Sequence, residues 1–182
     1  MDIELIPLKT EHLEIVRTWR NAKDVAQYMY TEDYISKQDQ IRWFDRISVS
    51  KTHKYWIIYY NKIHVGVVYL YDIDARNKRA FWGFYLGDAS IRGAGIGGKV
   101  EYHILSYVFD TLNLHKLCCE VLGSNEAVIN MHKKFGFVEE GFFREHICKN
   151  DQFYDVYRLG ILADDWKKLK ESLKRRVYRE RS

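Results

Sequence analysis

Four of the chain's 11 glycines fall within eight residues, from Ile91 to Gly98. An apolar run precedes this stretch at residues 80–86, and apolar residues spaced four apart follow it over residues 96–112. This order predicts a strand, a glycine turn and an amphipathic helix. A glycine turn at a helix N-terminus leaves backbone N–H groups unpaired and carries no Cβ atoms to obstruct a ligand. The stretch therefore predicts a binding site for a phosphate group.

The surroundings of this turn exclude two common phosphate-binding motifs. A dinucleotide-binding fold places its glycines after the first strand of a repeating strand–helix–strand chain, whereas three successive predicted strands precede this turn. A Walker-type loop ends in Gly-Lys followed by Ser or Thr, but valine follows Gly98-Lys99 here. What remains is Arg92-x-x-Gly95-x-Gly97 between a strand and a helix.

A second block follows about 30 residues after the glycine turn. Ser124-Asn125 precedes a segment with apolar residues on one helical face, and Gly136-Phe137 follows it. Gly136 is well placed to end the helix in a left-handed conformation. We therefore expect a second helix that begins near Asn125.

The elements that must position these two blocks are those of an α+β domain. Segments rich in Tyr, Ile and Val between short polar turns predict strands, and apolar spacings of three and four predict helices. The predicted strands are residues 1–7, 54–60, 63–72, 79–86, 115–122, 137–147 and 152–162. The predicted helices are residues 13–21, 24–29, 37–47, 96–112, 126–135 and 164–182.

The composition indicates a globular protein. The chain has 182 residues, 47% hydrophobic and 30% charged, and is expected to form one domain over residues 1–182. Its three cysteines lack metal-ligand spacing, so we expect no metal site. No apolar run approaches the roughly 20 residues that span a bilayer. Because the N-terminus is acidic, unlike a signal peptide, we expect a cytoplasmic protein without membrane contact.

The positive charge is concentrated at the C-terminus. Residues 164–182 hold eight basic and four acidic residues, which leaves 21 of each sign elsewhere. The neutral body predicts no broad nucleic-acid surface. Trp166, Leu169, Leu173 and Val177 follow helical spacing in the basic segment, which therefore predicts an amphipathic helix with a solvated charged face.

The two blocks, in this order and spacing, resemble the Gcn5-related N-acetyltransferase (GNAT) family over essentially the whole chain. The resemblance implies a GNAT fold, in which a mixed, mostly antiparallel sheet is flanked by helices and splays between its fourth and fifth strands. It also implies that acetyl-coenzyme A lies in the cleft at the splay. Amides of the glycine turn then bind the pyrophosphate, a strand edge pairs with the pantetheine arm, and the later asparagine bonds that arm. The residues implied to contact acetyl-coenzyme A are Phe84, Tyr85, Leu86, Arg92, Gly93, Ala94, Gly95, Ile96, Gly97 and Asn125.

Acetyl transfer from a thioester to an amine requires a neutral amine and is helped by an acid that protonates the leaving thiolate. In many family members a tyrosine seven residues after the asparagine is that acid, and this chain has His132 there. His132 is therefore the candidate acid, with a neutral, packed histidine as the alternative. Glu120, on the strand at 115–122, is the candidate base, acting directly or through water; the alternative is a paired or surface carboxylate.

The N-terminal segment gives a finer resemblance. Residues 17–44 resemble acetyltransferases that modify 4-amino sugars on UDP, and residues 1–50 are accordingly assigned to the acceptor side. Arg20 and Asn21 are implied to shape that side. An arginine there can pair with a phosphate, and Tyr30 or Tyr85 can stack on a uracil or cover a sugar face. The alternative is that the end of this helix only packs.

We therefore predict an N-acetyltransferase for a small amine, with a UDP-linked 4-amino-4,6-dideoxy sugar as the favoured acceptor. The acidic Asp72 after Tyr71 counts against nucleotide phosphates at that point. Residues 140–156 also resemble ribosomal-protein N-terminal acetyltransferases, so a protein N-terminus or a polyamine stays open. The histidine in place of tyrosine also leaves open a further alternative, a catalytically inactive module that binds coenzyme A. The sequence is compatible with a homodimer.

Overall fold

The computed structural model describes residues 3–87, 91 and 93–178. Its strands are β1 (Ile3–Pro7), β2 (Lys54–Tyr60), β3 (Ile63–Asp74), β4 (Arg79–Leu86), β5 (Lys116–Leu122), β6 (Val138–Lys149) and β7 (Gln152–Leu162). Its helices are α1 (Leu13–Asn21), α2 (Lys23–Ala26), α3 (Lys37–Ser48), α4 (Ile96–Ser106), α5 (Glu126–Lys134) and α6 (Ala163–Val177). The element order is the predicted one, and the strand boundaries within the described residues differ from the predicted ones by two residues or fewer.

The strands form one seven-stranded sheet in the order β1-β2-β3-β4-β5-β7-β6. Every neighbouring pair is antiparallel except β4 and β5, which run parallel. A parallel pair needs a crossover connection, and α4 supplies it here. The predicted α+β fold with a mixed, mostly antiparallel sheet is confirmed.

The parallel pair is short, and its two strands then separate. Only Arg79↔Lys116, Ala80↔Leu117 and Phe81↔Cys118 are paired between β4 and β5. Beyond Phe81, β4 pairs with β3 alone, while β5 keeps pairing with β7 as far as Leu122. The predicted splay between the fourth and fifth strands is therefore confirmed, and it opens a gap through the sheet.

Helices cover both faces of the sheet. Packed against one face, the apolar residues of α4, α5 and α6 form a core that includes Val100, Ile129 and Trp166, each buried. On the other face, α1 and α2 pack onto β2, β3 and β4 through a smaller buried cluster. That second cluster consists of Val16, Trp19, Val25, Ile57, Val67 and Tyr85. The gap in the sheet thus connects two differently built layers.

Three predicted helices differ from the structure at their C-terminal ends. The helix predicted over 164–182 ends at Val177, and residues 179–182 lie outside the described part of the chain. The other two end in turns of a different kind. The segment predicted as a helix at 24–29 ends as an α-helix at Ala26, because the Tyr28 and Met29 amides donate to carbonyls three residues back, at 3.1 and 3.0 Å. The helix predicted over 96–112 widens into a π-helical turn at Tyr107–Thr111, and Leu112 donates to the Tyr107 carbonyl, five residues back, at 2.9 Å. Hydrophobic spacing does not distinguish these turns from regular α-helix.

Candidate active site

A cavity of about 990 Å³ lies where β4 and β5 diverge. We call the part lined by the glycine turn, the end of β4 and α5 the donor half, and the part lined by α1, residues 27–35 and the facing side of the strands the acceptor half. The predicted site residues that line the cavity are Arg20, Tyr30, Phe84, Tyr85, Leu86, Gly93, Gly97, Glu120, Asn125 and His132. Asn21, Ala94, Gly95 and Ile96 lie beside it without lining it, and Arg92 lies outside the described residues.

The donor half is built largely from backbone. Phe84, Tyr85 and Leu86 pair with β3 on one side and have no β5 partner on the other, so alternate N–H and C=O groups of this edge face the gap. An extended ligand with amide groups can pair with such an edge as an added strand. The placement of these three residues therefore fits the predicted role of the β4 edge.

The glycine turn leaves the start of α4 open to a ligand. Gly95 is the residue before the helix, in the left-handed region at φ 76°, and no side chain caps the first turn. No acidic residue lies in that turn, and a Cβ atom built on Gly93 or Gly95 would have no atom of the described residues within 4 Å, its neighbours in sequence aside. Unpaired N–H groups and the positive end of the helix dipole are thus available to an anion.

The glycine turn lies against α5, and Asn125 comes directly before that helix. A Cβ atom on Gly97 would lie 3.2 Å from Met131 Sδ, so a side chain there would press α5 away. Asn125 precedes α5, but its side chain makes no capping hydrogen bond and lines the cavity. The side-chain amide of Asn125 does not cap its own helix and is therefore available to a ligand in the donor half.

His132 lies at the boundary between the two halves and is paired with a buried carboxylate. Its Nδ1 lies 2.8 Å from Glu101 Oε1, and the two side chains are 4% and 0% exposed. Burial raises the pKa of Glu101, and His132 opposes that shift. Trp82 packs edge-on against the imidazole at 5.2 Å between ring centroids. His132 is therefore packed, as the alternative expected, and also lines the cavity as a candidate acid must.

The acceptor half is lined with aromatic rings around one arginine. Tyr55 and Tyr69 stack at 5.2 Å, and the Arg20 guanidinium lies over the Tyr85 ring at 6.0 Å. Burial raises the pKa of Tyr55 to about 12 and raises that of Tyr85 as well, so both phenols stay neutral near pH 7. Arg20 Nη1 is buried and has no hydrogen-bond partner within the described part of the chain.

Glu120 is held by two neighbours. Tyr30 donates to Oε2 at 2.9 Å, and Arg158 donates to Oε1 through Nε at 3.1 Å and Nη2 at 2.6 Å. The carboxylate lines the cavity with 17% of its side chain exposed. Burial and the adjacent Glu120 charge raise the pKa of Tyr30. Glu120 is thus a paired carboxylate, as the alternative expected, that still faces the cavity.

Asn21 positions a segment instead of facing the cavity. Its amide nitrogen donates to the Ile35 carbonyl at 2.9 Å, and its amide oxygen accepts from the Ile35 N–H at 2.8 Å. These bonds tie the end of α1 to the segment before α3. Both polar groups of the side chain are thus used internally, and Ile35 lines the cavity, so the role of Asn21 in shaping the acceptor side stays a prediction.

Sequence reasoning missed three contributors. Glu101 supports His132, Arg158 holds Glu120, and Tyr69 lines the acceptor half. A signal existed for Glu101 alone: a carboxylate lies on the apolar stripe formed by Ile104 and Val108 of the same helix, and a charge in such a stripe needs a partner. Arg158 and Tyr69 come from strands distant in sequence, and alternation gives no sign of what they meet.

Within the described residues, no group of three or more His, Cys, Asp or Glu side chains is arranged to hold a metal ion. None of the helices in that part of the chain has the length and apolar character needed to cross a membrane.

Comparisons with known proteins agree with this geometry. Residues 2–138 match the family described as the acetyltransferase (GNAT) domain. Spermidine N(1)-acetyltransferase of Escherichia coli K12 is 25% identical over 90% of this chain and 88% of its own length. Acetyltransferase PseH of Campylobacter jejuni strain 81-176 is 24% identical over 89% of this chain and 93% of its own length. The crystal structure of Vibrio cholerae spermidine N-acetyltransferase with CoA and spermine has a TM-score of 0.86 at 23% identity, over 91% of this chain and 98% of that one.

The donor half fits acetyl-coenzyme A, the co-substrate of GNAT acetyltransferases. The uncapped amides of α4 suit a pyrophosphate, the free edge of β4 suits the pantetheine amides, and the glycines leave open space for both. When bound, this co-substrate supplies an acetyl group activated as a thioester. The chain belongs to the GNAT family and is an acetyltransferase that uses acetyl-coenzyme A.

Proposed function

We propose that the acceptor is a small primary amine carrying an anionic group, and that a UDP-linked 4-amino-4,6-dideoxy sugar fits best. The observation that carries this proposal is Arg20, whose buried Nη1 in the acceptor half has no partner among the described residues. Leaving a buried donor of a charged group unpaired costs about 1–3 kcal/mol or more. A phosphate oxygen is the acceptor that a guanidinium pairs with best.

The carboxylates of the cavity argue in the same direction, because they are already engaged. The Glu120 carboxylate accepts hydrogen bonds from Tyr30 and Arg158, and the Asp39 carboxylate accepts them from Ser36 and Arg42. Asp24 also interacts with another part of the chain. A polycation binds through free carboxylates, and here it would have to displace existing partners.

The aromatic wall suits the remaining parts of such an acceptor. Tyr30, Tyr55, Tyr69 and Tyr85 all line the cavity with flat apolar faces and hydroxyl groups, and the Arg20 guanidinium lies over the Tyr85 ring. A uracil ring stacks on an aromatic face, and a deoxy-sugar presents C–H groups to one. Neutral phenols also hydrogen-bond to sugar hydroxyls.

The proposed proton transfers use one group from β5 and one from α5. Glu120 accepts the proton that the amine loses, directly or through a water, because its oxygens retain lone pairs beyond those given to Tyr30 and Arg158. His132 holds the proton that the departing thiolate takes up. The amine nitrogen then forms the bond to the acetyl carbon as the carbon–sulfur bond breaks.

A polyamine is the second candidate. Three carboxylates, Asp24, Asp39 and Glu120, line the cavity. A similar protein is named spermidine N(1)-acetyltransferase, at an identity close to that of PseH. For a polyamine to be the acceptor, these carboxylates must exchange their present partners for ammonium groups.

A thiol-release assay decides between the candidates. Wild-type protein with acetyl-coenzyme A is offered the UDP-4-amino sugar, spermidine and a peptide with a free N-terminus under equal conditions. We expect the highest kcat/KM with the nucleotide sugar. Turnover of spermidine or the peptide, with none of the sugar, would overturn the acceptor assignment. Tight coenzyme A binding without turnover of any amine would identify an inactive module.

We also propose that the chain self-associates. β6 is an outer strand of the sheet, and Val138 and Phe142 on it are 62% and 44% exposed. A solved structure of similar fold, at 24% identity, is described as a dodecameric spermidine N-acetyltransferase from Vibrio cholerae. Analytical ultracentrifugation tests this: a dimer or larger species is expected, and a monomer at all concentrations would contradict it.

A further inference from the structure

A buried acid–imidazole pair connects the first crossover helix to the candidate proton donor. Glu101 on α4 and His132 on α5 meet at 2.8 Å between Oε1 and Nδ1. His132 lines the cavity, whereas Glu101 lies behind it and does not. Glu101 can therefore influence the reaction only through the imidazole.

The two ring nitrogens of His132 face different surroundings. Nδ1 is used by Glu101, and Nε2 has no hydrogen bond to any described residue. Among the described residues, Glu101 Oε2 is a fully buried polar atom without a hydrogen-bond partner. His132 Nε2, which also has no partner there, is not fully buried. Nε2 thus keeps access to the cavity, where the thioester sulfur would lie.

We propose that Glu101 is a positioning residue for acetyl transfer, which holds His132 in the state that presents an Nε2–H group to the leaving sulfur. The inference rests on the proposed donor role of His132 and is independent of which amine is the acceptor. It assigns to a residue pair the task that a single tyrosine hydroxyl has in many family members.

The protonation of Nε2 depends on whether the pair holds two protons or one. With two protons, the pair is either carboxylate with imidazolium or carboxylic acid with neutral imidazole, and Nε2 carries a proton in both forms. With one proton, the carboxylate binds Nδ1–H and Nε2 is bare. The thiolate therefore takes the Nε2 proton as the carbon–sulfur bond breaks, and the pair changes from net neutral to a single negative charge.

The surroundings favour the two-proton state. Burial raises the pKa of Glu101, because a lone carboxylate is costly in the core, while His132 and Arg176 of α6 lower it. From β5, Cys119 is the other titratable group near Glu101, and burial raises the pKa of its thiol well above the ordinary value, so it stays neutral. The protons of the pair are shared between the carboxylate and the ring, and a Glu101 carboxylate stabilises an imidazolium at 2.8 Å from it.

The test uses the Glu101→Gln variant and measures the pH dependence of kcat with any amine that the wild type acetylates. The glutamine oxygen still accepts from Nδ1–H, but it gives no counter-charge to the imidazolium, so the Nε2 proton is lost about one to three pH units lower. We expect kcat at neutral pH to fall about tenfold or more, with little change in KM for acetyl-coenzyme A. Asp110→Asn is the matched control, because it neutralises a carboxylate that binds Lys170 and Trp166 away from the cavity.

A second comparison separates positioning from a role in stability. If Glu101 acts through His132, the double variant Glu101→Gln/His132→Gln loses no more activity than His132→Gln alone. Two results would overturn the proposal. One is a double variant whose loss of kcat is the product of the losses in the two single variants. The other is a Glu101→Gln variant whose kcat falls over the same pH range as that of the wild type. Thermal unfolding of each variant is measured in parallel, since a purely structural role would lower Tm without moving the pH limb.

An assay without an acceptor keeps the inference distinct from the acceptor assignment. Nitrogen-15 NMR of the CoA-bound protein follows the protonation of His132 in wild type and Glu101→Gln. A lower midpoint in the variant supports the pair even if no nucleotide sugar is acetylated. The same midpoint in both proteins would refute it even if the nucleotide sugar is the substrate.

Discussion

The two halves of the cavity are built in different ways. The donor half uses backbone: the free edge of β4, the uncapped amides of α4 and the space above Gly93 and Gly95. The acceptor half uses side chains that come from α1, the segment after α2, β2, β3, β4 and β5. A backbone site depends on local conformation, whereas a side-chain site depends on which distant strands become neighbours.

This difference explains why one half constrains its ligand more than the other. Backbone amides and a helix N-terminus recognise phosphate and amide groups in any GNAT chain that makes the same turn. The acceptor half is specific to this chain, because Arg20 and the tyrosines around it determine charge and shape. Variants in one half, or at the boundary between the two halves, show whether ligand binding in the other half changes.

The largest effect is expected at the boundary. His132→Gln removes the proposed proton donor while keeping a polar side chain of similar reach. We expect kcat to fall about 10²–10⁴-fold, the usual contribution of general acid catalysis, with the affinity for coenzyme A retained. Steady-state kinetics and calorimetry measure the two quantities. Lys134→Gln, an exposed change on the same helix, is the control. Unchanged kcat in His132→Gln would remove this residue from the chemistry.

The next effect concerns the base on the acceptor side. Glu120→Gln keeps an oxygen for Tyr30 but removes the charge that pairs with Arg158. We expect kcat to fall about a hundredfold, with little change in KM for acetyl-coenzyme A. Glu140→Gln is matched to it, because Glu140 pairs with Lys116 at 2.7 Å without lining the cavity. Equal kinetics in both variants would mean that Glu120 is only a structural partner.

A change in the glycine turn tests the donor half alone. Gly95→Ala puts a side chain at φ 76°, which costs about 1–2 kcal/mol although a Cβ atom meets nothing within 4 Å. We expect the affinity for coenzyme A, measured by calorimetry, to weaken about tenfold while KM for the acceptor stays the same. Gly141→Ala, in ordinary contact on β6, is the control. A change in acceptor KM of the same size would show that the halves are not separable.

The smallest effect is expected from the segment that closes the acceptor half. Asn21→Ala removes both hydrogen bonds to Ile35, each worth about 1 kcal/mol. We expect Tm to fall by about 3–8 °C and KM for the acceptor to rise a few-fold, with donor affinity unchanged. Asn130→Ala, exposed on α5, is the control. A weakened affinity for coenzyme A would contradict the assigned role.

The sequence predicts the donor half well because its signals are local. Four glycines in eight residues, the strand before them and the helix after them are adjacent in the chain, and the structure places Gly93, Gly97 and Asn125 on one cavity. The mixed, mostly antiparallel sheet and its splay followed from the family resemblance. The ends of α2 and α4 were not predictable. Their amides bond to carbonyls three or five residues back instead of four, and this change does not alter the spacing of the apolar residues.

The acceptor half was predictable only in part. Arg20 and Tyr30 line it as expected, but Asn21 is turned to Ile35, and Glu120 is bound by Arg158, which lies 38 residues further along the chain. Such pairings arise when β7 is placed beside β5, and no local pattern encodes them. The pairing of Glu101 with His132 required the packing of α4 against α5 for the same reason.

The central claim is that the acceptor half is made for an anion, and binding of UDP tests it most directly. Calorimetry is carried out with UDP and the CoA-bound protein, as wild type, as Arg20→Met and as the control Arg144→Met on exposed β6. A hydrogen bond to a charged group is worth about 1.5–3 kcal/mol, so we expect Arg20→Met to bind UDP about 10–100-fold more weakly than the other two. We also expect spermidine not to displace UDP. Failure of UDP to bind wild type, or equal affinity in all three proteins, would contradict the claim.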